Sequence, residues 1–133
     1  MKVLVDTSVW SLALRRGGPN RIAEKLAELI HAALVVMIGP VRQEILSGIS
    51  DEKVFLNLKR ELESFDDLVI ETSDYEIAAQ YYNTCRSHGI QGSHIDFLIC
   101  AVAANHHLLI FTTDKDFEYF SKYLPIHLYE NTL

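Results

Sequence analysis

The chain is poor in the residues that staple or stiffen small proteins. Among 133 residues there are two cysteines, three prolines and one tryptophan. Cys85 and Cys100 form no C-x-x-C pair, which excludes a disulfide framework and a thiolate metal cage. Reduced, buried thiols are expected. Positive charge is also scarce. The net charge of −6 supplies no global field to hold a polyanion and excludes a simple nucleic-acid coat protein. It leaves open an enzyme that reaches phosphate through metal ions. No apolar run approaches the roughly 18 residues of a membrane span. Asp6 interrupts any signal-peptide apolar region. Six histidines are present, but no H-x-x-x-H accompanies them, so structural or surface roles are expected rather than zinc. The expectation is one soluble, cytoplasmic domain over 1–133, without membrane contact.

What is present is a globular pattern, with 49% apolar and 23% charged residues. Short apolar runs at 2–5, 34–38, 68–70, 108–111 and 126–129 read as strands. Between them lie segments with helical spacing: 8–14, 20–33, a helix opened by Pro40, 51–65, a helix capped by Thr72 or Ser73, one capped by Ser93, and 114–123. Strands that alternate with helices predict an α/β fold, a three-layer α/β/α sandwich around a parallel sheet. In such sheets sites form outside the carboxyl ends of the strands.

Acids stand at those ends. Asp6 closes the first strand in VLVDTS, and Asp114 follows the fourth in LLIFTTDKDF. Asp6 has two readings, a cap for the next helix or a site carboxylate, and Thr7 or Ser8 can cap instead. Glu44 falls on or beside the apolar stripe of its helix, where a lone acid is uncommon unless paired. Asp96 completes an S-x-x-D capping box with Ser93, and also heads a stripe of small residues with Cys100 and Ala103. Asp114 and Asp116 point about 200° apart if both are helical, so Asp114 is the stronger candidate and Asp116 the supporting one. Ser8, Thr112 and Thr113 offer hydroxyls beside them. Converging carboxylates repel by about 4 kcal/mol at 4 Å and an effective dielectric of 20. Protonation or a cation relieves that, and oxygen-only ligands favour Mg²⁺ or Mn²⁺ over Zn²⁺.

Four stretches in order, VLVDTSVW, PVRQEIL, GSHIDFLICAVA and FTTDKDF, resemble the PIN-domain ribonucleases, and in particular the VapC-type toxins of toxin–antitoxin pairs. The resemblance spans almost the whole chain. It implies a five-stranded parallel sheet and Mg²⁺- or Mn²⁺-dependent hydrolysis of RNA phosphodiester bonds. It implies Asp6, Glu44, Asp96 and Asp114 as catalytic acids, with Asp6, Asp96 and Asp114 on the metal and Glu44 holding a water. Ser8, Thr112, Thr113 and Asp116 match the supporting positions. A homodimer and a small antitoxin are the implied protein partners. Arg15, Arg16, Arg42 and Lys115 lie near the acids in sequence and are candidates for RNA phosphate contact.

Two other classes fit parts of the pattern. Asp6-Thr7 suits a phosphoryl-transfer fold with an aspartyl nucleophile, although Ser8 stands where a second acid is wanted. The amphipathic helices at 20–33 and 51–65 suit a non-catalytic interaction module. Trapping of an aspartyl intermediate favours the first. Co-purification with a small partner, without nuclease activity, favours the second.

Overall fold

The computed structural model describes residues 1–14 and 20–129. Arg15 and Arg16 therefore lie outside the described residues. The elements follow the order β1 (Val3–Val5), α1 (Thr7–Ala13), α2 (Arg21–His31), β2 (Val35–Val36), α3 (Gly39–Leu46), α4 (Glu52–Leu62), α5 (Thr72–Ser87), α6 (His94–Asn105), β3 (Leu109–Phe111), α7 (Asp116–Phe120) and β4 (His127–Leu128). The sheet is parallel throughout, in the order β2-β1-β3-β4. The chain leaves β1 toward β2 and later returns on the other side through β3. The gap between β1 and β3 is thus the point where strand order reverses. Their register aligns Val5 with Phe111, so Asp6 and Thr112 leave the sheet side by side. The Asp6 N–H donates to the Phe111 carbonyl at 2.9 Å and fixes that alignment.

The five-stranded expectation is corrected in one detail. The run at 68–70 forms no strand of its own. A single parallel bridge joins Met37 to Asp67, and Leu68 N donates to the Met37 carbonyl at 2.8 Å. Val69 then turns to solvent and Glu71 already caps α5. Too few residues remain for a ladder. The cap of α5 is also moved, from Thr72 or Ser73 to Glu71, because the Asp74 carboxylate accepts from the Glu71 N–H at 2.9 Å.

Local rules set most other boundaries. Asn20 caps α2 through a 2.7 Å bond from Ala23 N, and Asp51 caps α4 through Lys53 N and Val54 N. Pro40 lies in the first turn of α3, where its missing N–H costs nothing. Gly89, at φ +75°, takes the left-handed turn after α5. Helix α6 is not amphipathic: Phe97 to Ala103 are all buried, so it is enclosed on every side. Gly92 lets the loop before α6 press against the aromatic core. A Cβ there would lie 2.6 Å from the Phe120 ring. Both cysteines are free and buried.

Candidate active site

Each acid reaches the carboxyl end of the sheet by a different route. Asp6 is buried at 6% exposure and precedes α1, but its side chain does not cap that helix. Instead, Oδ2 accepts from the Ser8 hydroxyl at 2.7 Å and from the Thr112 hydroxyl at 2.8 Å. These two hydroxyls are themselves held: Thr113 N donates to Ser8 Oγ at 3.1 Å, and Asp114 N donates to Thr112 Oγ1 at 3.0 Å. Asp6 thus sits in a frame built from both central strand ends, with Oδ1 free of protein donors among the described residues.

Asp114 precedes α7, whose first residue is Asp116. Its Oδ1 accepts from Asp116 N at 2.9 Å. Asp116 therefore contributes a backbone amide, while its own carboxylate is exposed. Glu44 is exposed rather than set in the apolar stripe of α3. Thr7 Oγ1 donates to Glu44 Oε1 in a short bond. This ties α3 to the start of α1 and gives Thr7 a positioning role absent from the sequence expectations. The signal was present: Asp6 is followed by two hydroxyl residues, and each one holds a different carboxylate.

Asp96 is the third residue of α6 and makes the expected reciprocal box. Its N–H donates to Ser93 Oγ at 3.1 Å, and its Oδ2 accepts from Ser93 N at 3.0 Å. The box does not exhaust its role. Burial pushes the Asp96 carboxyl above the usual range, and the charges of Asp6 and Asp114 add to that push, against the Ser93 bonds. Asp96 therefore lies within reach of the charges of two other segments. Among the described residues, no lysine or arginine forms an ion pair with Asp6, Glu44, Asp96 or Asp114.

These features place the acids at the switch point of a parallel α/β sheet, and they run in the order found along the chain. A PIN-domain model matches residues 3–123. The chain belongs to the PIN-domain family. The "VapC ribonuclease Mb1587" of Mycobacterium bovis is 33% identical over 119 residues, covering 87% of this chain and 89% of that protein. "Ribonuclease VapC11" of Mycobacterium tuberculosis matches to the same extent. Among solved structures, FitAcB from Neisseria gonorrhoeae aligns at a TM-score of 0.78, with 23% identity and 96% of both chains covered. DNA-bound VapBC from Salmonella typhimurium aligns at 0.77, with 16% identity and 97% of both chains covered. At these identities the structural likenesses speak for the fold alone.

The PIN acids offer only oxygen donors, the set that suits a hard divalent cation. Asp6, Asp96 and Asp114 each keep one carboxylate oxygen without a protein donor among the described residues. As placed, no three His, Cys, Asp or Glu side chains among the described residues stand close enough together to hold a metal ion. Like charges repel without a cation between them, so the donor chemistry of the three aspartates fits a metal.

The cation candidates divide. Lys115 is exposed beside Asp114 and has no ion-pair partner among the described residues. Arg42, the other candidate among the described residues, acts as a structural clamp. Its guanidinium donates to Asp67 Oδ1 at 2.9 and 3.0 Å, to the Leu62 carbonyl at 2.9 Å and to the Phe65 carbonyl. With four of its five donors so engaged, it locks α3 to the end of α4 and the segment after it.

Proposed function

We propose that this PIN protein is an endoribonuclease, the toxin of a toxin–antitoxin pair, which hydrolyses RNA phosphodiester bonds with Mg²⁺ or Mn²⁺. The observation that carries the reading is the hydroxyl-framed Asp6 at the ends of β1 and β3, where none of Asp6, Glu44, Asp96 and Asp114 has an ion-pair partner among the described residues. Two relatives at 33% identity bear the name ribonuclease, which supports RNA as substrate. Asp6, Asp96 and Asp114 would hold the cation, and Glu44 would orient a water for attack on phosphorus. The bound cation would supply acidity to that water and charge to steady the phosphate. The residues of the chain perform the rest. Ser8 and Thr112 fix the Asp6 carboxylate, Thr7 fixes Glu44, and the Asp116 amide fixes Asp114. Attack in line with the leaving 3′ oxygen gives 5′-phosphate and 3′-hydroxyl ends. An aspartyl-phosphate route is disfavoured because Ser8 occupies the place of its second acid and donates to Asp6 instead.

Two surface hollows suit the protein partners. One, of about 330 Å³, lies among α1, α2 and α4 and is lined by Trp10, Leu14, Leu26, Ile30, Leu62 and Phe65. Trp10 is buried there, and its indole N–H has no acceptor among the described residues. The other hollow, also about 330 Å³, lies among α3, α5 and α6, with Pro40, Tyr75, Ile95 and Leu98 in its lining, and suits a second copy in a homodimer. No helix among the described residues is long and apolar enough to cross a membrane. The test is incubation of purified chain with RNA and Mg²⁺ or Mn²⁺, against an Asp96→Asn control. Cleavage that survives the substitution at the wild-type rate rejects the site.

A further inference from the structure

We propose that the groove between α7 and β4 carries the RNA nucleotides flanking the scissile phosphate, with Lys115 on a backbone phosphate and the groove floor beneath a base. The proposal rests on the ribonuclease reading and names the path of its substrate. The groove begins at Asp114, so it is continuous with the candidate active site. Its volume of about 920 Å³ lies near the upper end of the roughly 300–1,000 Å³ that small-molecule pockets occupy, and suits more than a single small ligand. The floor is apolar: Leu124 and Ile126 are buried, and the half-buried Tyr129 ring lies 5.0 Å from Phe111. Bases stack on aromatic faces without demanding a sequence, and the half-buried Tyr129 offers such a face beside the aliphatic floor. One wall carries Lys115, next in sequence to Asp114, and Thr113 adds a hydroxyl. Glu118, farther along α7, also lines the groove and repels phosphate, so the backbone is placed at the Lys115 end, nearest Asp114, with the base turned inward. This division of labour gives an acidic chain a local grip on a polyanion that its net charge of −6 denies it globally.

The experiment uses two variants of the full chain, Lys115→Glu on the exposed wall and Ser121→Trp to fill the groove. Thermal melting checks that each folds. Cleavage kinetics of a labelled single-stranded RNA in Mg²⁺ or Mn²⁺ are compared with its binding to the same variants made in an Asp6→Asn background. Each variant is expected to raise KM about tenfold with kcat within about twofold, as weakened binding away from the reacting atoms should. Lys115→Glu should also lower the slope of log Kd against log salt by about 0.7, the mark of one fewer phosphate neutralised on a single strand. Unchanged KM and salt slope, in a chain that still cuts RNA, overturn the groove and leave the ribonuclease reading intact. If Ser121→Trp spares RNA binding but abolishes capture of the partner protein, the groove belongs to that protein and the proposal fails. If the unmodified chain cuts no RNA with either metal, the ribonuclease reading fails and the groove proposal falls with it.

Discussion

Asp74 and Asp96 occupy the same local position in two adjacent helices, the third residue after the cap, yet their surroundings have opposite effects. Asp74 is 1% exposed and fully served. Burial alone would raise its pKa. Bonds from Asn105 Nδ2 at 2.7 Å, the Glu71 amide at 2.9 Å and His106 at 3.5 Å more than reverse that, and its pKa is lowered. Asp96 is only half-buried and has Ser93 alone for company, while two other carboxylates press on it and its pKa is raised. One acid clasps α5 to α6. The other is held at a cost to the fold and is available to a ligand. Local motif, here a capping box in both cases, does not separate structural acid from site acid. The count of donors against neighbouring charges does.

The comparison is broken most severely at the site. Asp6→Asn or Asp96→Asn is expected to lower RNA cleavage at least about a hundredfold, read as product on a gel with Mg²⁺ or Mn²⁺. Next comes the clasp. Asp74→Ala strands the Asn105 donor and removes charge-assisted bonds, so a loss of about 3 kcal/mol is expected in urea or thermal unfolding. The third effect has the opposite sign. Asp96→Asn removes a repelling charge and should raise thermal stability by up to about 1 kcal/mol without divalent cation. Added Mg²⁺ should stabilise the natural chain and have little effect on this variant.

Acid titration sharpens the contrast through the sign of each shift. The folded pKa of Asp74 is below its unfolded value, near 3.9 for an aspartate. Its contribution is complete above that unfolded value and is lost as pH falls through the folded one. The folded pKa of Asp96 is above its unfolded value, so its relative stabilisation is present below about pH 3.9 and disappears as pH rises through the folded value. Stability measured against pH should therefore lose its steepest acid-side fall in Asp74→Asn. In Asp96→Asn it should lose a shallower decline on the alkaline side of pH 4. The smallest expected effect is at the partner hollow. Ile30→Asp, at a position 39% exposed, should leave melting within about 0.5 kcal/mol while abolishing antitoxin co-purification.

Much of this was legible in the chain itself. Apolar runs ending in Asp6 and Thr112 mark strands, and the Gly and Pro positions mark helix ends. The α/β class then places Asp6 and Asp114 at or just past carboxyl ends without further help. The switch point was not legible, because strand order depends on long-range pairing. The edge segment at 68–70 looked like a strand because its residues favour one. Whether it pairs depends on how few residues separate it from the cap at Glu71. Arg42 looked like a free cation because its partners lie 20 to 25 residues away. Asp74 carried no signal of its own because its partners Asn105 and His106 are on another helix. A trace was there, since Asp74, Ala78 and Cys85 fall on one buried stripe of α5.

The central claim is that Asp6, Asp96 and Asp114 form a divalent-cation site. Calorimetric titration of Mn²⁺ into the natural chain and into Asp96→Asn tests it most directly. Saturable binding to the first, weakened at least about tenfold in the second, is the predicted result. Equal binding to both, or none to either, would contradict it.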